Sequence, residues 1–142
     1  MSDEMTTAEV DDFLRATRIA SLTTVAGDGK PVTVPVWYEW DGKVARLFSG
    51  RTAAKMRRID ANPVANLTVY EGVGVPEAWV SIEGAAEVED TEPAELITRL
   101  AKRYYPADRA ERILKQWLGG GGSPFAVITI TPERIRSYRT EW

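Results

Sequence analysis

A chain of 142 residues has the size of one domain built around one hydrophobic core. Apolar residues make up 44% and charged residues 27%, the ordinary globular balance, and no apolar run is long enough for a membrane-spanning helix. A net charge of −3, with no cysteine and no histidine, excludes disulfides, iron–sulfur clusters, thiol nucleophiles, His-based triads and the common zinc and haem sites.

The acidic start, Met1-Ser2-Asp3-Glu4-Met5, lacks an apolar signal core, which implies a cytoplasmic protein, and residues 1–7 are expected to be disordered. Thr6-Thr7-Ala8-Glu9 reads as a capping box with Thr6 at the N-cap. Val10, Phe13 and Leu14 then share one face, which predicts a short helix to about residue 16. Residues 19–25 form a strand rich in β-branched side chains, ended by the turn Gly27-Asp28-Gly29. The next run is the most regular in the sequence. Val32, Val34, Val36, Tyr38 and Trp40 alternate with Thr33, Pro35, Trp37 and Glu39 at the strand period. Asp41-Gly42 predicts a tight hairpin into a third strand over 43–49.

Thr52 can cap a helix over 53–61, which Asn62-Pro63 ends. Residues 64–70 and 78–88 read as strands joined by a loop holding Gly72, Gly74 and Pro76, with Gly84 at a bulge or bend. Pro93 opens a helix to about residue 104, Pro106 breaks it, and a second helix covers 108–118. The four glycines at 119–122 read as a mobile surface loop or as a lid hinge. Residues 125–130 and 135–138 supply the last strand or strands. Hairpin order with inserted helices predicts a mainly β fold, an antiparallel barrel rather than a doubly wound sheet. The whole chain forms one domain, with 91–118 as a helical insertion.

The informative stretch is Phe48-Ser49-Gly50-Arg51-Thr52-Ala53-Ala54-Lys55-Met56-Arg57-Arg58. A strand gives way to a helix start, whose unpaired N–H groups favour an anion. The hydroxyls of Ser49 and Thr52 add neutral donors, and Arg51 and Lys55 add charged ones. A phosphate monoester suits such a seat, although the same cations could be the solvated face of a surface helix. Pro35, inside the strand Val34-Pro35-Val36-Trp37-Tyr38, cannot donate to a ladder, so that strand has one unpaired side there. Free backbone beside an anion seat can meet a flat heterocycle, or the proline can simply block edge pairing.

These residues resemble the split β-barrel flavin and deazaflavin oxidoreductases related to pyridoxamine 5′-phosphate oxidase. The resemblance is carried by residues 19–25, 31–40 and 47–50, by Thr52-Ala53-Ala54-Lys55, by Asp60-Ala61-Asn62-Pro63-Val64-Ala65, and by Trp79-Val80-Ser81-Ile82-Glu83-Gly84-Ala85-Ala86. It implies a six-stranded antiparallel split barrel of the FMN-binding type, dimerised so that the cofactor lies between two subunits. By that resemblance Ser49, Thr52 and Lys55 approach the cofactor phosphate, with Gly50, Arg51, Met56 and Arg57 as neighbours. The backbone of Val34, Pro35 and Val36 runs beside the ring, and Trp79 covers the site from either subunit or packs as a core aromatic.

The resemblance implies FMN or the deazaflavin F-420 as cofactor. F-420 is favoured because Arg51, Arg57 and Arg58 offer charge for its oligoglutamate tail, and because the residues look closer to the deazaflavin branch. The implied reaction is hydride transfer between cofactor and a small conjugated substrate, an enone or a quinone, with the protein positioning both. No catalytic side chain is identified; Tyr38, Glu39 or solvent could supply a proton. A non-catalytic cofactor carrier would need the same binding residues. A nucleic-acid binder built on Arg99, Lys102, Arg103, Arg109, Arg112 and Lys115 is disfavoured by the acidic total, and neither nucleic acid, membrane nor metal is expected.

Overall fold

The computed structural model describes residues 3–120 and 124–142. Four helices, α1 (Thr7–Arg15), α2 (Ala54–Ala61), α3 (Ala94–Tyr104) and α4 (Ala107–Leu118), accompany seven strands. The strands are β1 (Ala20–Val25), β2 (Pro31–Val36), β3 (Glu39–Trp40), β4 (Ala45–Gly50), β5 (Val64–Tyr70), β6 (Ala78–Glu89) and β7 (Phe125–Arg139). They form one antiparallel sheet in the order β2-β1-β5-β6-β7-β4-β3, curled around a core that includes Leu22, Leu47, Leu67, Ile82 and Ile128. The fold is a split β-barrel.

The strand count is seven, one more than expected, because the regular run over 31–40 does not stay in one ladder. β2 ends at Val36, and the Tyr38 N–H donates to the Tyr104 hydroxyl at 3.3 Å instead of to a strand. Tyr38 itself is fully buried, its hydroxyl donating to the Leu14 carbonyl at 2.8 Å. Glu39 and Trp40 then pair with Arg46 and Ala45 around the Asp41-Gly42 turn, where Gly42 takes φ 96°.

The first helix begins as its capping box requires, Glu9 N–H donating to Thr6 Oγ1 and Thr6 N–H to Glu9 Oε1. The segment before it is tied to the last strand. The Asp3 carbonyl accepts from Arg139 N–H at 3.0 Å, and Met5 N–H donates to Ser137 Oγ at 2.9 Å. Two backbone groups tied to β7 outweigh the lack of apolar content in that segment; Met1 and Ser2 lie outside the described residues. Val10, Phe13 and Leu14 of α1 and Met56 and Ile59 of α2 enter the barrel core.

The α3–α4 hairpin packs outside the barrel. Leu96 and Leu100 meet Val127, with Trp37, Phe48 and Tyr104 around them. Arg103 fastens α3 to the end of α1, its guanidinium donating to the carbonyls of Arg15 and Ala16 at 2.8 and 2.9 Å.

Residues 125–130 and 135–138 belong to one long strand, bent where Gly84 faces Pro132 and the register shifts. Pro132 has no N–H to lose there, and Gly84 lets the two backbones close. A Cβ at Gly84 would overlap the Thr131 carbonyl oxygen and lie 2.8 Å from its carbon. Gly84→Ala is therefore expected to lower stability by about 1–3 kcal/mol or to prevent folding, measured as a lower midpoint in urea denaturation.

Candidate functional site

The two edges of the sheet never pair: β2 bonds only β1, and β3 bonds only β4. Beside this seam lies a cleft of about 430 Å³ lined by Ile19, Pro35, Val36, Trp37, Phe48, Lys55, Tyr105 and Trp117. Pro35 and Val36 come from one edge strand, Phe48 from β4, Lys55 from the first turn of α2, and the last two aromatics from the ends of the outer hairpin. The sides are aromatic and aliphatic, and the lining contains no carboxylate.

Lys55 is half-buried. Burial holds its ammonium pKa below the ordinary lysine value, and the nearby Arg58 cation lowers it further. Among the described residues no carboxylate lies within ion-pair distance of it. Arg58 does not enter the cleft; its Nε donates to the buried Thr24 hydroxyl at 2.6 Å.

The helix start differs from the sequence expectation in one respect. Thr52 is not the N-cap; Ala53 is, and no side chain caps the first turn. Thr52 lies one residue earlier, where its carbonyl accepts from Arg57 Nη1 at 2.9 Å. The Ala53 N–H is taken by the Gly50 carbonyl at 3.1 Å. No side-chain oxygen competes for the first-turn N–H groups of α2; Met56 N–H is taken by the Ala53 carbonyl at 3.0 Å, which leaves those of Ala54 and Lys55 to an exogenous acceptor or water.

The other sequence-derived residues fall into distinct places. Ser49 is buried, Gly50 half-buried, and Arg51, Thr52 and Arg57 are exposed around the helix start. Arg51 N–H closes the junction by donating to the Pro124 carbonyl at 2.8 Å. At Gly50 an added Cβ would meet nothing within 4 Å, so open space adjoins the backbone just before the helix. Val34 packs against the barrel core, and Met56 is buried in it, so neither side chain lines the cleft. Trp79 is elsewhere. It stacks on Tyr138 with centroids 6.2 Å apart and lines a separate shallow groove with Thr68, Tyr70 and Ser81.

Tyr38 and Glu39 are poorly suited to donate protons. Burial pushes the Tyr38 hydroxyl up to about 12, and Glu39 is bridged by both Nε and Nη2 of Arg99 at 2.6 and 3.0 Å. Sequence reasoning missed Phe48, Tyr105 and Trp117 as cleft residues. Their hydrophobic spacing is that of ordinary strand and helix packing, and only docking of the hairpin brings Tyr105 and Trp117 to the same cleft as Phe48 and Lys55. Gly121 and Gly122, half of the proposed lid hinge, lie outside the described residues.

A family model described as pyridoxamine 5′-phosphate oxidase matches residues 6–139. The chain belongs to that family. A search of curated proteins finds no match. Among solved structures it is 26% identical to the conserved hypothetical protein Rv2991 of Mycobacterium tuberculosis, with TM-score 0.76 over 98% of this chain and 88% of that one. It is 28% identical to a putative pyridoxamine 5′-phosphate oxidase of Listeria innocua, with TM-score 0.69 over 92% and 96% of the two chains. An F420 reductase shares the fold at 24% identity and TM-score 0.68, over 88% and 94%.

An ammonium held in an apolar cleft without a counter-ion opposes folding. Because the folded-state pKa is the lower one, the penalty is complete below it and fades as pH rises toward the unfolded lysine value. Ligand-free Lys55→Met, which keeps the apolar stem, is expected to melt at or above the parent's temperature near neutral pH, with the gap closing at alkaline pH. Calorimetry over that range checks this, and a variant that melts lower at neutral pH would contradict it.

Proposed function

We propose that the cleft seats a phosphate-bearing flavin-type cofactor, and that the protein is an oxidoreductase acting on a small conjugated organic substrate. The observation that carries this reading is Lys55, a half-buried cation without a carboxylate partner among the described residues, set beside an uncapped helix start. Those features fit an anionic ester, whose charge would replace the missing counter-ion. Membership of the family supports the same class.

In this reading the Lys55 ammonium and the N–H groups of Ala54 and Lys55 hold the phosphate, with Ser49, Gly50 and Thr52 at its margin. Arg51 and Arg57, exposed at the same helix start, provide cationic surroundings. The unpaired edge at Pro35 and Val36 offers backbone and apolar surface to a planar ring. When bound, the cofactor supplies hydride transfer, and the side chains position the reactants and exclude water rather than act as acid or base. Neither Tyr38 nor Glu39 lines the cleft, so solvent is the simplest proton source.

F-420 is the favoured cofactor and FMN the alternative. The likeness to an F420 reductase supports the first, as does the positive charge of Arg51 and Arg57 for a polycarboxylate tail. Titration of each cofactor, followed by its fluorescence, is expected to give tighter binding for F-420. Lys55→Met should weaken the preferred one about tenfold or more; an unchanged affinity removes Lys55 from the site. Turnover of an enone or quinone panel separates an enzyme from a cofactor carrier, which would bind without reducing anything.

The site is further proposed to be completed by a second copy of the chain. The outer sheet face bears the half-buried Trp79 and the exposed Tyr70, and Val73 and Val75 are exposed in the adjoining loop. A homodimer across that face would bury these groups. Sedimentation velocity is expected to show a dimer that Trp79→Glu converts to monomer. A wild-type monomer at micromolar concentration would refute the dimer. A cytoplasmic location accords with this cofactor class.

A further inference from the structure

We infer that Lys55 of the cofactor-free protein is a nucleophilic amine, which takes aromatic aldehydes into the cleft and condenses with them to an imine. Its surroundings set it apart from the other lysines of the chain. Lys30, Lys43, Lys102 and Lys115 are exposed, whereas Lys55 is half-buried. Lys30 and Lys115 have carboxylates at 3.9 and 3.6 Å, those of Asp28 and Glu111. Around Lys55 the cleft offers the rings of Trp37, Phe48, Tyr105 and Trp117 and no negative group that would favour the ammonium form.

Desolvation disfavours the charged amine, and the nearby Arg58 cation acts in the same direction. Arg51 and Arg57 at the helix start are further cations, and the Tyr105 phenol is the other ionisable group in the lining. A larger share of Lys55 is therefore neutral near pH 7 than of an exposed lysine, and only the neutral amine has a lone pair to donate. In the condensation, that pair forms a bond from Nζ to the carbonyl carbon as the C=O π pair moves to oxygen. The carbinolamine then loses water, made of its oxygen and the two amine hydrogens, and a C=N bond remains. Nothing is oxidised or reduced. The cleft of about 430 Å³ has room for an aryl group, which its rings favour over an aliphatic chain.

The adduct fills the cleft and replaces the ammonium, so an aromatic aldehyde and an anionic ester exclude each other there. That exclusion rests on the phosphate seat proposed above; the reactivity of the amine does not. A lysine that was merely buried, with no access from the cleft, would react more slowly than the exposed ones.

The test uses the full chain without cofactor, benzaldehyde as the probe, and cyanoborohydride to trap each imine as a secondary amine. Peptide mass mapping then times the adduct at every lysine. Near neutral pH, Lys55 is expected to react about fivefold faster or more than each exposed lysine, with the gap closing at alkaline pH. In urea-unfolded chain all five should react alike. Butanal, which has no ring, should show a smaller preference for Lys55. A Lys55 rate at or below that of the exposed lysines, or a preference that survives unfolding, would overturn the inference, and equal selectivity with butanal would overturn its aromatic part. Saturating FMN or F-420 should slow Lys55 about fivefold and spare the others. If Lys55 outpaces the rest and neither cofactor protects it, the reactive amine stands and the phosphate seat fails.

Discussion

The arrangement depends on a sheet that curls without joining its edges. β2 and the β3–β4 hairpin form the two edges of a seam, and hydrogen bonding across it would seal the cleft. Two local features keep it open. Pro35 has no N–H to donate, and the backbone at Tyr38 turns to Tyr104 instead of extending the ladder. The seam also needs cover, since an exposed strand edge invites association. Ile19, Trp37 and the α3–α4 hairpin provide apolar walls without supplying ladder partners.

Within that opening the electrostatics are simple. One ammonium faces the cleft, the neighbouring Arg58 is occupied by Thr24, no lining residue is acidic, and three carboxylates are committed elsewhere: Glu39 to Arg99, Asp41 to Arg46, Glu71 to Arg18. An acidic protein thus presents a locally positive recess. The field at such a site comes from position and desolvation, not from net charge, and so can attract a small anion against an overall negative balance.

Much of this was legible in the sequence. The capping box at Thr6, the strand over 64–70, the break at Pro106 and the bulge at Gly84 all depend on signals within a few residues. Lys55, Pro35 and Val36, which line the cleft, stand out in the sequence because a cation after a strand end and a proline in a strong strand are local oddities. What failed depended on distant partners. Thr52 has the composition of an N-cap, yet the chain enters α2 one residue later. Met56 sits beside Lys55 in sequence, but the helical turn sends one into the core and the other into the cleft. Tyr105 and Trp117 lie about half the chain length away from Trp37, and no periodicity announces that they meet.

The long bent strand has an implication for how the chain assembles. β7 is the last element in chain order, yet it lies in mid-sheet, bonded along all of β6 on one side and along β4 on the other. Before it emerges from the ribosome, no strand joins the group β2-β1-β5-β6 to the pair β4-β3, and each exposes a bare edge. Closure of the sheet therefore waits for β7, and a chain stalled before residue 125 would carry two half-sheets prone to sticking to other chains.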